Sequence, residues 1–196
     1  GYTNTFGRWN GPLIANGPVR IYGKVINKGL VLGGPMSGPG PIKAGSGWLQ
    51  LLAKSPDYKG AIHIRDNEYA NTSFRSGLAL YTPGAYDPGA VGVTLTNAEL
   101  HLMTDEIYDL PPVSAHVAAG TNYTFSGGHS GSRYASLLKT GPGRLDLESP
   151  VTVTGRLEIA GGTLRIPPQT IYRSCAGGLW KSVTPQGNTN TFHAYM

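Results

Sequence analysis

Short apolar pairs separated by one polar or small residue recur along the whole chain. They read Gly29-Leu30-Val31-Leu32, Trp48-Leu49-Gln50-Leu51, Gly77-Leu78-Ala79-Leu80, Glu99-Leu100-His101-Leu102, Arg144-Leu145-Asp146-Leu147, Arg156-Leu157-Glu158-Ile159 and Thr163-Leu164-Arg165-Ile166. Val91/Val93, Val151/Val153 and Ile62/Ile64 repeat the same spacing. A period of two sends both apolar side chains to one face of a strand. Helical periodicity is nearly absent, because Gly or Pro interrupts each candidate window before three turns accumulate. Ala98–Leu110 contains good helix formers, but Leu100 and Leu102 alternate with Glu99 and His101, which predicts a strand followed by a turn over Thr104–Asp109. Strands of four or five residues cannot bury a face individually, so the pattern predicts stacking of each strand on its neighbours.

One internal match sharpens this into a repeat. Lys43-Ala-Gly45-Ser-Gly47-Trp-Leu49-Gln-Leu51 aligns with Lys139-Thr-Gly141-Pro-Gly143-Arg-Leu145-Asp-Leu147 at an offset of 96 residues. Each copy runs on to a second strand, Ser76–Leu80 and Gly162–Ile166. The first copy is longer by an insertion around Asp66–Arg75, and insertions in repeat arrays map to loops.

The string Ser136-Leu-Leu-Lys139-Thr-Gly141-Pro-Gly143-Arg-Leu145-Asp-Leu147, with Val151-Thr-Val153 and Ala160-Gly-Gly-Thr163-Leu164-Arg-Ile166 after it, resembles the autotransporter passenger-associated β-strand repeat. That family reads Leu-x-Lys-x-Gly-x-Gly-x-Leu-x-Leu, a spacer, then Gly-Gly-Thr-Leu. The match is specific over residues 136–166, degraded over 41–80, and without a clear copy in 1–35 and 171–196. The resemblance implies a right-handed, single-stranded parallel β-helix in a secreted or surface-exposed bacterial protein, and it implies no catalytic residues. The physics agrees: leucine pairs suit an inward ladder of rungs about 4.8 Å apart, and glycines suit corners that need positive φ. A repeat of roughly twenty residues predicts on the order of eight to ten rungs and a rod of about 40 Å. The expected domain is residues 1–168, with 169–196 as a cap or the start of a neighbouring domain; the alternative all-β fold is a β-sandwich or jelly roll.

Composition narrows the class. The 29 Gly and 15 Pro among 196 residues make the chain turn-rich, yet 39% hydrophobic residues support a folded core. A single cysteine, Cys175, excludes an internal disulfide and a thiolate zinc site. The net charge of +5 comes from 16 scattered Lys and Arg against 11 Asp and Glu. Without a basic run it predicts a mildly basic surface and no nucleic-acid footprint. No apolar run reaches the length of a membrane span, and an opening at Gly1 with no signal-peptide pattern suggests a mature or excised segment.

Candidate chemistry is sparse. Asp105, Glu106 and Asp109 form the one acidic cluster; a catalytic carboxylate pair or a calcium site is the functional reading, a solvated turn the default. Arg165 and Arg173 flank Pro167-Pro168, superficially like a lyase signature, but without neighbouring carboxylates. The histidines are isolated, and His63 and His101 suit outward strand positions. Eleven tyrosines and three tryptophans offer stacking platforms for sugar rings, with Trp9, Tyr58, Tyr69, Tyr81 and Tyr86 as the candidates. The expected role is a structural passenger, stalk or fibre module, with no cofactor or metal and with end-to-end self-association unless residues 2–9 and 179–196 cap the rod. A carbohydrate-binding module or a polysaccharide-active β-helix enzyme is the alternative.

Overall fold

The computed structural model describes residues 7–22, 29–45, 47–66, 75–127 and 131–166, together with the backbone of three strands beyond them. In chain order the strands are β1 (Gly7–Trp9), β2 (Leu13–Ile14), β3 (Val19–Tyr22), β4 (Leu30–Leu32), β5 (Met36–Gly38), β6 (Ile42–Gly45), β7 (Trp48–Leu51), β8 (Asp57–Tyr58), β9 (Ala61–Arg65), β10 (Ser76–Leu80), β11 (Gly92–Thr96) and β12 (Ala98–Leu102). There follow β13 (Tyr108–Leu110), β14 (Val113–His116), β15 (Asn122–Ser126), β16 (Ser132–Tyr134), β17 (Leu137–Thr140), β18 (Arg144–Leu147), β19 (Val151–Val153), β20 (Leu157–Ile159), β21 (Thr163–Ile166), β22 (Ile171–Tyr172), β23 (Val183–Gln186) and β24 (Thr189–His193).

These strands wind into a parallel β-solenoid with three faces. The first face stacks β1-β4-β7-β10-β12-β15-β18-β21 in parallel, and the second stacks β3-β6-β9-β11-β14-β17-β20. The third face is split into β2-β5-β8 and β13-β16-β19-β22, because residues 81–91 cross the fourth rung as a loop without a strand. Eight parallel strands on the first face span seven rung spacings, about 34 Å at the usual strand separation. The rod is thus shorter, and has fewer turns, than the roughly eight to ten rungs and about 40 Å expected. At the far end the parallel stacking stops: β24 pairs antiparallel with β21, and β23 with β24.

Register explains why the leucine pairs recur. Leu30, Leu49, Leu78, Leu100, Phe125 and Leu147 occupy one inward column of the first face. Ile42, Ile62, Val93, Val113, Leu137 and Leu157 form the matching column of the second. Nearly all of these are buried in one continuous core. The expected strand at 98–102 is present, with Leu100 and Leu102 inward; the turn expected over Thr104–Asp109 is confined to a bend at 104–106, because Tyr108 and Asp109 enter β13. Val91 departs from expectation: it lies in the loop before β11, 71% exposed, and only Val93 points inward.

The two repeat copies follow the same path, from the second face (β6, β17) across the first and third and back to the first (β10, β21). The insertion of the first copy falls at the corner between the second and first faces, where the second copy turns within Ala160–Gly162. The two repeat lysines differ, however. Lys43 is exposed on β6, whereas Lys139 lies one position out of phase, in the inward column of Ala44, Ile64, Leu95 and Ala115. Lys139 is fully buried, and its Nζ donates to the carbonyls of Thr140 (2.9 Å), Gly141 (2.7 Å) and Gly161 (3.0 Å). The amine thus ties two successive corners together. Gly141 makes this corner possible, since its φ is 75° and a Cβ would meet the Val117 carbonyl oxygen at 2.3 Å.

Burial lowers the Lys139 amine from its ordinary 10.5 to about 8. Between those values the unfolded chain binds more protons than the folded one, so raising the pH through that window stabilises the fold. Lys139→Ala removes the donor from three carbonyls and leaves a void, which is expected to cost about 2–4 kcal/mol at pH 7 in denaturant titrations. Lys43→Ala is expected to stay within about 0.5 kcal/mol. The stability difference between the wild type and Lys139→Ala should widen from pH 8 to 10.5; a constant difference would contradict the buried charge.

Candidate functional site

Among the described residues, the outward positions of the first face bring aromatic, acidic and basic side chains together on a sheet surface. One outward column runs Gly29, Trp48, Gly77, Glu99, Thr124, Asp146, Arg165; the next contains Gln50, Ala79 and His101. Glycine thus stands on both sides of Trp48. A Cβ at Gly77 would lie 2.5 Å from the Trp48 ring, so the indole extends across the rung occupied by β10. It reaches His101 on β12, with ring centroids 4.4 Å apart and a tilt of 53°. Under these rings β10 is buried on both faces, an unusual pattern for an outer sheet.

Glu99 closes the cluster. Its Oε1 accepts from Arg75 Nη1 at 2.5 Å and its Oε2 meets His101 Nε2 at 3.1 Å. Burial alone would raise the carboxyl, but the bonds from His101 and Arg75 outweigh it and hold Glu99 ionised, below its ordinary value. The Arg75 guanidinium also sits 5.2 Å above the Tyr123 ring. Tyr123 Oη and Ser76 Oγ both donate to Asp66, at 3.3 and 3.0 Å, and Ser76 Oγ accepts from Gly47 N. Asp66 and Arg75, the residues flanking the insertion, are therefore both anchored at this corner.

Asp146, two rungs beyond Glu99, accepts from Arg144 through Oδ2 while its Oδ1 is buried with no hydrogen-bond partner among the described residues. Two rungs correspond to about 9.6 Å, the upper end of a glycosidase carboxylate separation. Such an enzyme needs one carboxyl as a proton donor, a part that Glu99, held below its ordinary value, does not fit.

The aromatic candidates from the sequence fall in different places. Tyr58 and Tyr86 are core residues and present no ring face to a sugar, which corrects their assignment as stacking platforms. They pack at a centroid distance of 5.6 Å on the third face. The Tyr58 hydroxyl lies between the carbonyls of Gly40 and Ala61, and that of Tyr86 between those of Gly60 and Gly92. Desolvation pushes Tyr58 up to about 12 and Tyr86 higher still. Both were drawn inward because the third face needs large side chains with a polar tip to satisfy corner carbonyls.

Trp9 lies in the inward column of Leu32 but at the first described rung, 54% exposed, with its indole N–H donating to the Pro12 carbonyl. Tyr81 is 36% exposed and follows β10, alongside Met103 on the next rung. Tyr69, Arg173 and Cys175 lie outside the described residues. Arg165 is exposed on the outward column of β21. Asp105 and Glu106 are exposed on a bend, and Asp109 pairs loosely with Arg133 at 3.6 Å. Among the described residues no group of three His, Cys, Asp or Glu could hold a metal ion.

The sequence shows Glu99 and His101 as polar alternates of a strand, which is what they are, but their meeting with Trp48 and Arg75 depends on rung register. The usable signal is a tryptophan whose counterparts in neighbouring repeats are glycines. Comparison with family models, curated proteins and solved structures found no match to this chain.

Gly77→Ala forces the indole off the sheet. In a Trp9→Phe, Trp180→Phe background, where Trp48 is the sole tryptophan, emission is expected to shift to the red with increased acrylamide quenching. An unchanged spectrum would contradict the Trp48–Gly77 contact.

Proposed function

We propose that this chain is a structural segment of a secreted or surface-exposed bacterial protein, a right-handed β-helix of the passenger-repeat type that serves as a rigid stalk. The observation that carries the reading is the unbroken pair of apolar columns through the first and second faces, from Leu30 to Leu147 and from Ile42 to Leu157, which stiffens the rod. The shared path of the two repeat copies supports the resemblance on which the bacterial surface location rests. Right-handed winding is the near-universal hand of connections between parallel strands. The antiparallel β23–β24 pair acts as a cap, because it replaces the row of unpaired backbone groups that β21 would otherwise present.

Electron microscopy of the purified chain, beside a variant lacking residues 179–196 and a polysaccharide turnover assay, tests this reading. Dispersed short rods from the whole chain, concentration-dependent filaments from the truncated one and no product release are expected. A globular particle, filaments from the whole chain, or catalytic turnover would overturn it.

A further inference from the structure

We propose that the outward surface of the first face, from β7 to β12, binds a neutral β-linked polysaccharide, with the Trp48 ring as the stacking platform and Glu99 and Arg75 as the hydroxyl-binding groups. Arg75 and Glu99 also anchor the corner of the insertion, but the core of a rigid stalk needs no tryptophan on this outer surface. Its core columns lie on the opposite side of the sheet, and a carboxylate on an outer strand position is costly to desolvate unless its partners repay it. Here Glu99 is only 8% exposed, with Gly77 on the rung before it and His101 two positions along its own strand.

The chemistry of the cluster matches a pyranose. Such a sugar has an apolar C–H face, which stacks on an indole, and a rim of hydroxyls that both donate and accept. The Trp48 ring lies over Gly77, half-buried, with the His101 ring tilted at 53° to it and the centroids 4.4 Å apart. Each Glu99 oxygen accepts one bond, so each keeps acceptor capacity for a sugar hydroxyl. Arg75 directs Nη1 to Glu99, and its side chain is 47% exposed, leaving further donors of the fork toward solvent. Tyr81 and Gln50 extend the same surface along the strand direction.

The class follows from the charges. The Glu99 carboxylate is balanced by the Arg75 guanidinium, so the pair carries no net charge and favours a neutral ligand over a uronate; the Trp48 ring, laid across the buried Gly77 position, favours flat, equatorially substituted rings that present a C–H face.

Titration of the full chain in the Trp9→Phe, Trp180→Phe background with cellohexaose, chitohexaose and a polygalacturonate hexamer tests the proposal. Saturable quenching of Trp48 by one of the two neutral hexasaccharides is expected, with a dissociation constant on the order of 0.1–1 mM. By calorimetry, Trp48→Ala should weaken binding at least tenfold and the shape-conserving Glu99→Gln and Arg75→Gln about fivefold each, with far-UV circular dichroism unchanged in the latter two. Binding of neither neutral sugar, preference for polygalacturonate, or affinity insensitive to Trp48 and Glu99 would overturn it.

Discussion

Everything in this molecule depends on vertical stacking at the strand spacing of about 4.8 Å. A parallel solenoid places chemically similar positions of successive rungs directly above one another, so each inward column must be filled by side chains of matched size and each corner must bring the chain back to the same place. The aliphatic columns of the first and second faces meet that demand from Leu30 to Leu147 and from Ile42 to Leu157. Between β12 and β15 the register slips so that Leu100 faces Phe125 and Tyr123 enters above Leu145. A slip of an even number of residues preserves which side points inward, so the core tolerates it.

Corners are where the demand is hardest to meet, because carbonyls there turn away from the ladder. The protein answers with long side chains that bring a polar tip to an apolar interior. Lys139 does so for three carbonyls, and Tyr58 and Tyr86 each place a single O–H between two. The same residue types that look functional on a list, an amine with a depressed pKa and a set of tyrosines, are thereby absorbed into the architecture. Outside, the demand is weaker: Arg75 and Glu99 anchor the corner of the insertion, but no rung stacking requires Trp48 and His101 beside them.

Much of the fold is legible in the amino-acid order. Leu-x-Leu pairs bounded by turn residues announce short strands, and the Lys43 and Lys139 copies announce stacking. What period-two reading cannot provide is the phase across a corner. Lys43 and Lys139 occupy equivalent places in the repeat, yet one residue of difference in corner geometry puts one outside and the other inside. Tyr86 is misplaced because residues 81–91 form no strand and their side-chain directions follow no period, and Tyr58 because β8 is only two residues long, too short for an alternation to show. The outer cluster was invisible because its members are drawn from three rungs and from the edge of an insertion, so only the register unites them.

Cross-rung disulfide formation tests that register most directly. In a Cys175→Ser background, Thr94→Cys with Ser114→Cys places the thiols on adjacent rungs of the second face, where Thr94 pairs with Ser114. The expected Cα separation of about 4.8 Å lies within disulfide range. Thr94→Cys with Leu138→Cys spans two rungs, about 9.6 Å, beyond that range. Mild oxidation is predicted to consume both thiols of the first pair and to leave the second pair reduced. Cross-linking of the two-rung pair, or none in the adjacent pair, would contradict the stacked rungs on which the account stands.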